Sequence, residues 1–238
     1  MKKLILLFGI FFGLLVNGQD KLIINDHMAV IRDMGSFHGI DISGPFKVYF
    51  SVGSRHTVAV SASSEDARDR IQVRKSDGIL KVELETSYKN WIPGKTSYKL
   101  YISAPSLETI KASGAVDFFV TDVLKAEDLK IQFTGASDFL GKLDCRDLDV
   151  HFTGASDIEL TGTVDELKAV VTGASKLKAS TLKVRNADIR VTGASNSTIS
   201  VSNNLQAVAS GASHIYYYGN PAHVDVSSTG ASKVKKAN

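Results

Sequence analysis

This chain of 238 residues lacks several features that would point to familiar functions. Its single cysteine, Cys145, excludes an intrachain disulfide. Positive and negative charges nearly balance and no basic run occurs, so nothing electrostatic favours nucleic acid. The six histidines (His27, His38, His56, His151, His214 and His223) show no ligand spacing, and one cysteine gives no zinc pattern. Serine, histidine and aspartate are abundant, yet no elbow motif presents a nucleophile. No apolar run reaches the ~20 residues that a bilayer span needs.

What is there begins with a leader. Lys2 and Lys3 precede an unbroken apolar stretch from Leu4 to Val16, followed by Asn17-Gly18-Gln19. Such a stretch is too short for a membrane span, which needs ~20 residues, and suits the core of a secretory signal. Val16 and Gly18 supply the small residues a signal peptidase requires, so residues 1–18 are expected to be a signal peptide and the mature chain to begin at Gln19. The mature protein is then exported, to the periplasm, the outer surface or the medium. It is expected to form one domain over 19–238, since no polar linker divides it.

The dominant pattern is a repeat. Thr-Gly-Ala-Ser or a close variant recurs with its glycine at Gly114, Gly135, Gly154, Gly173, Gly193, Gly211 and Gly230, at intervals of 18 to 21 residues. A period near twenty over half a chain marks a stacked repeat architecture. Six, four and two places before the glycine stand apolar residues such as Leu148, Val150 and Phe152, with polar Asp149 and His151 between them. The fourth position after it holds Phe118, Phe139, Ile158, Leu177, Ile215 and Val234, with Ser197 the exception. Alternation with period two on both sides of the motif means half-buried strands. The prediction is an all-β fold, a right-handed parallel β-helix (β-solenoid) of ~19-residue coils, each made of two or three short strands with a Thr-Gly-Ala-Ser corner. Glycine accepts backbone angles that a side chain forbids, and alanine keeps the bend narrow. The threonine and serine columns stack like on like, and the corner leaves open which way the serines point.

Residues 105–238 form the regular coils, and the part up to about 104 follows the same rule less evenly. Ile40 and Ile42 before Gly44, with Val48 and Phe50 after it, make Ser43-Gly44-Pro45 a degenerate first corner. Asp77-Gly78 signals a tight turn, Ser64 to Arg70 allows one or two helical turns, and Tyr88 to Thr96, with Trp91, reads as a loop. At the far end Lys233, Lys235 and Lys236 crowd the last strand, which is expected to discourage another chain from adding there and so to close the stack.

Three outward columns are candidates for chemistry. Asp117, Asp138 and Asp157 lie three places after successive glycines, the arrangement in which an acidic-polysaccharide enzyme or a calcium site would cluster carboxylates. No arginine column accompanies them, and a solvated row is the expectation. Five places before the glycines, Lys130, Asp149, Lys168 and Asp188 alternate in sign, which fits a register-setting ladder. Phe119, Leu140 and Tyr216 share a column five places after the glycine, a weak candidate binding surface that the Trp91 loop could cover.

The run "F..I.ISGPF.VYF" from Phe37 to Phe50, the Gly-Ala-Ser corners and the leader resemble the putative auto-transporter adhesin, head GIN domain family of Bacteroidetes-type bacteria, over nearly all of the mature chain. The resemblance implies a β-helical exported protein with an adhesin label. These motifs are structural and identify no activity. The functional expectation is an exported, adhesin-like binding or envelope-scaffold protein without catalysis, cofactor or metal, whose partner is a cell-surface glycan or protein. A carbohydrate-active β-helix is the alternative. Ice binding through the threonine ladder is a distant third, since the second parallel column of a flat array is missing.

Overall fold

The computed structural model describes residues 25–85 and 96–237. The leader, its cleavage point and most of the expected Trp91 loop lie outside the described residues. Among the described residues sixteen strands join in one sheet that winds into a β-solenoid of about seven turns of about 19 residues.

The strands run in chain order as follows. β1 is Val30–Arg32, β2 Gly39–Gly44, β3 Phe46–Val52 and β4 Thr57–Ala62, then a short helix α1 at Glu65–Asp69. β5 (Ile71–Ser76), β6 (Ile79–Leu84), β7 (Tyr98–Ala104) and β8 (Thr109–Gly114) complete the first part. β9 (Asp117–Gly135), β10 (Asp138–Gly154), β11 (Asp157–Gly173), β12 (Lys176–Gly193) and β13 (Asn196–Gly211) are the regular coils, and β14 (His214–Tyr218), β15 (His223–Gly230) and β16 (Lys233–Lys236) end the stack.

The coils are more continuous than the repeat suggested. Strands β9 to β13 are 16 to 19 residues long and break only at Gly-Ala-Ser. Their other bend arises from a slip in alternation. In β10, Cys145 and Leu148 are buried while Arg146 and Asp147 between them both turn outward. Asp165-Glu166 and Arg185-Asn186 do the same one and two turns on. Two successive outward residues fold a strand around a core without breaking its ladder.

Register between turns is parallel and aligns corner with corner: Gly135 with Gly154, Gly154 with Gly173, Gly173 with Gly193. Corner glycines have φ between +80° and +132°, and a Cβ on Gly154 would stand 2.1 Å from the carbonyl oxygen of Gly135. Both backbone angle and interturn spacing therefore require glycine. Leu129, Ile131, Phe133 and their counterparts fill the tube, with Phe133 and Phe152 rings 5.3 Å apart and Phe118 and Phe139 rings 5.6 Å apart.

The corner serines point inward. Ser137, Ser175, Ser195 and Ser213 are at most 3 % exposed. Ser175 Oγ donates to the Gly154 carbonyl (3.2 Å) and accepts the Ser156 N–H (3.2 Å), and Ser195 Oγ repeats this with Gly173 (3.1 Å) and the Ser175 N–H (3.1 Å). Alternation thus continues through the corner. The threonines face out, where Ser210 Oγ donates to Thr192 Oγ1 at 3.1 Å.

The first part departs from serial stacking. Gly44 aligns with Gly114, so the degenerate corner is real. But β2 is flanked by β6 and β8, and β3 by β7 and β9. The earliest coil therefore lies inside the stack, with a rung built from later sequence beneath it. Antiparallel β5 and β4 cover that rung, and β1 pairs with β4. Asp77-Gly78, with φ of 53° and 72°, turns β5 into β6, and the Ser64 hydroxyl accepts the Ala67 N–H to cap α1 (3.2 Å).

Candidate functional site

The outer wall around β3, β7, β9 and β10 carries the best candidate surface. Parallel register puts Tyr101 beside Tyr49, Tyr49 beside Phe119, and Phe119 beside Leu140. Tyr49 stacks on Tyr101 with ring centroids 5.4 Å apart and on Phe119 at 5.6 Å. Lys47 Nζ lies 5.3 Å from the Phe119 ring centroid and 5.9 Å from that of Tyr49, within reach of a cation–π attraction. Leu140 is 42 % exposed. An apolar ridge thus runs along the tube axis for four turns.

Sequence reading found half of this ridge. Phe119 and Leu140 are neighbours, as their spacing required. Tyr49 stands five places after the degenerate corner Gly44, so the column rule that gave Phe119 also reaches it, whereas Tyr101 escaped because its place follows from the pairing of β7 with β3, which no local periodicity signals. Tyr216 is in the same column and is 36 % exposed, but Glu159, Lys178 and Thr198 stand between it and Leu140. It does not belong to the ridge.

One end of the ridge is fastened to the N-terminal segment. Asp26 Oδ2 accepts the Tyr101 hydroxyl (2.9 Å), the Ser61 hydroxyl (3.0 Å) and Lys99 Nζ (3.2 Å), while Oδ1 accepts the Met28 N–H (3.1 Å). Burial alone pushes the Asp26 carboxyl up, but the hydrogen bonds from Tyr101, Ser61, Met28 and Lys99 outweigh it and hold it at about 2. The same burial and the neighbouring carboxylate push the Tyr101 hydroxyl well above the usual phenol range.

The aspartate column lies two residues from the ridge on the same strands. Lys47, Asp117 and Asp138 are in register, and Asp138 Oδ1 accepts the Asp157 N–H at 3.0 Å. Asp157 Oδ2 is 3.9 Å from Lys178 Nζ. These contacts tie the column to its own backbone and to a lysine. Among the described residues no group of three or more histidine, cysteine or acidic side chains is placed to hold a metal ion.

A second feature was missed altogether. At the slipped bend a groove of about 1290 Å³ runs along the tube, floored by the buried leucine column and walled by Asp128, Asp147 and Glu166, continuing to Asn186 and Asn204. Its signal was the run of paired polar residues seven and eight places before the five glycines from Gly135 to Gly211. The wall is largely self-satisfied. Arg146 reaches Asp147 (2.9 Å), Asp128 (3.3 Å) and Glu127 (3.5 Å), and hydrogen bonding to Asp128 with the charges of Asp147 and Glu127 raises its pKa. Asn186 Nδ2 donates to Glu166 (2.6 Å) and its Oδ1 accepts Asn204 Nδ2 (2.9 Å). On the opposite wall the charge ladder is in register, with Lys130 and Asp149 3.5 Å apart. Cys145, beneath the bend, is buried, which pushes its thiol up to about 11. Such a thiol is a poor nucleophile.

Among the described residues no helix is long and apolar enough to cross a membrane. No curated protein matches the chain. Solved structures do. A putative adhesin from Bacteroides fragilis is 22 % identical with a TM-score of 0.79, covering 88 % of this chain and 96 % of that one. A putative adhesin from Parabacteroides merdae is 20 % identical with a TM-score of 0.66, covering 88 % and 95 %. A putative lipid binding protein from Parabacteroides distasonis is 17 % identical with a TM-score of 0.65, covering 88 % and 96 %. At these identities the likeness is one of fold. The family model described as putative auto-transporter adhesin, head GIN domain, matches residues 36–221, and the chain belongs to that family.

Proposed function

We propose that this is an exported, adhesin-like protein that binds a protein on a cell surface through the ridge of Tyr101, Tyr49, Phe119 and Leu140. The family and its structural neighbours support an adhesin-like role. The observation that carries the site is the stacking of the ridge. Its rings turn their faces to one another at 5.4 and 5.6 Å, so their edges are what a ligand meets. A sugar stacks on an exposed aromatic face, whereas a ridge of edges ending in Leu140 fits an apolar hollow in a protein. Lys47 beside the rings adds a charge that orients the partner. A partner in the cell's own envelope would make the chain a scaffold there, by the same contacts.

Whole-cell binding by the purified protein tests this. Saturable binding that disappears when the cells are treated with protease, and that falls about tenfold or more in Phe119→Ser/Leu140→Ser, is the expected result. Binding to arrayed glycans that the double variant retains would overturn the assignment. New chain ends or unsaturated products from a polysaccharide would instead favour the carbohydrate-active reading.

A further inference from the structure

The two ends of the tube are finished differently. Beneath the first coil, β6 and β7 carry antiparallel partners. At the other end the last rung is β15 and β16, and among the described residues β15 pairs only with β13 and β16 only with β14. Val224 and Val226 continue the columns of buried Leu205 and Ala207 but are 45 % and 43 % exposed. Lys236, in the column of Ile199, sends its Nζ 2.6 Å to Asn220 and fills only part of the opening. The expectation that the lysines close the stack is therefore corrected. The core stays partly open, and alternate backbone N–H and C=O groups of β16 point away from β14 with no strand to meet them.

The chain itself shows a charge pattern that pairs with the triplet this edge carries. Lys233-Val234-Lys235 stands in the columns of Lys176-Leu177-Lys178 three turns earlier. That earlier triplet lies in register on Asp157-Ile158-Glu159, with Lys178 Nζ 3.9 Å from Asp157 Oδ2. Acid–apolar–acid thus lies against one edge of lysine–apolar–lysine inside the tube, with Asn196-Ser197-Thr198 against the other, and the two lysines left at the β16 edge are complementary to the same acidic pattern. We infer that the β16 edge takes an extended acidic strand of another protein, its two carboxylates facing Lys233 and Lys235 and its apolar residue covering Val234. Among the described residues a second copy offers no such strand, because its own Ile158–Glu159 segment is already paired on both sides and its last strand is equally basic.

The test uses the intact protein and a labelled synthetic peptide copying residues 153–162, followed by fluorescence anisotropy. Saturable binding that weakens with added salt is expected, and a peptide with proline in place of the central isoleucine should not bind, since it cannot complete the ladder. Lys233→Glu/Lys235→Glu, with an unchanged melting curve, should weaken binding about tenfold and gain affinity for a peptide copying residues 174–181. Absence of binding, equal binding of the proline peptide, or indifference to salt would each overturn the assignment. So would self-association of the protein abolished by the double variant, which would make a second copy the occupant. Ridge binding to cells is read separately and lies elsewhere on the tube.

Discussion

Coils β9 to β13 and the rungs built from β2, β3, β6 and β7 share one cross-section but are assembled by different rules. In the regular coils each turn rests on the turn before it, so sequence order is spatial order. In the first part the rung made last lies outermost, and β2–β3 sits between two rungs that follow it in sequence. A periodic sequence fixes neighbours by distance along the chain. An aperiodic one must fix them by matching individual strands, and so it spends more residues on turns, caps and anchors such as Asp26.

The sharpest contrast is at the corners. A Cβ on Gly154 meets the Gly135 carbonyl at 2.1 Å, whereas on Gly44 its nearest neighbour is a Phe46 ring carbon at 3.0 Å. Both have φ near +130°. Gly154→Val should lose about 4–6 kcal/mol through strain and overpacking together. Gly44→Ala should lose only ~1–3 kcal/mol, the cost of the backbone angle. Chemical denaturation of both variants decides this, and equal losses would mean that the two parts stack alike.

Phe152→Ala should cost about 3–5 kcal/mol, since the ring is fully buried between turns. His151→Ala, one residue away and partly exposed, should stay within about 1 kcal/mol, the scale of its surface contact with Asp149 at 2.8 Å. A reversed order would shift the strand phase by one residue.

Inside and outside of the corner differ in the same sense. Ser195→Ala leaves the buried Ser175 N–H without its acceptor and should cost about 1–3 kcal/mol. Thr192→Ala, on the exposed side, should fall within about ±0.5 kcal/mol.

In the first part the anchor is acid-sensitive. The Asp26 carboxyl is held at about 2 in the fold, below the ~3.9 of an unfolded chain. Its contribution is present above pH ~4 and lost as the pH falls through that value toward 2. Asp26→Asn should therefore lower the melting temperature at pH 7 and narrow its gap to the parent as the pH approaches 2. A constant gap would detach Asp26 from the stability of this part. The smallest effect is expected at Asp138. Calorimetric titration with calcium should show no stoichiometric heat, because a straight carboxylate row offers too few oxygens for an ion that takes six to eight. A heat abolished in Asp138→Asn would revive the carbohydrate-active reading.

The regular coils were legible because two periods coincide there. Alternation placed Leu148, Val150 and Phe152 inside, and the glycine repeat placed each above its counterpart. The inward serines follow from the same alternation, once the corner is known to preserve it. Gly162, with φ of 110° and a Cβ position 1.9 Å from the Leu143 carbonyl, was not legible. Its register neighbours are Leu143 and Leu182, so no repeated residue type marks the site. The strand order of the first part depends on contacts between residues such as Ile42 and Val82, distant in sequence and ordinary in type.

The buried position of β2–β3 gives the tube a mechanical direction. Tension applied from the C-terminal side meets one rung at a time, each held along a single edge, and can peel the stack like a zip. Tension from the N-terminal side must drag residues 39–52 out from between two partners, breaking both ladders in shear together. The tube would then yield far sooner when loaded from its last coil than from its first.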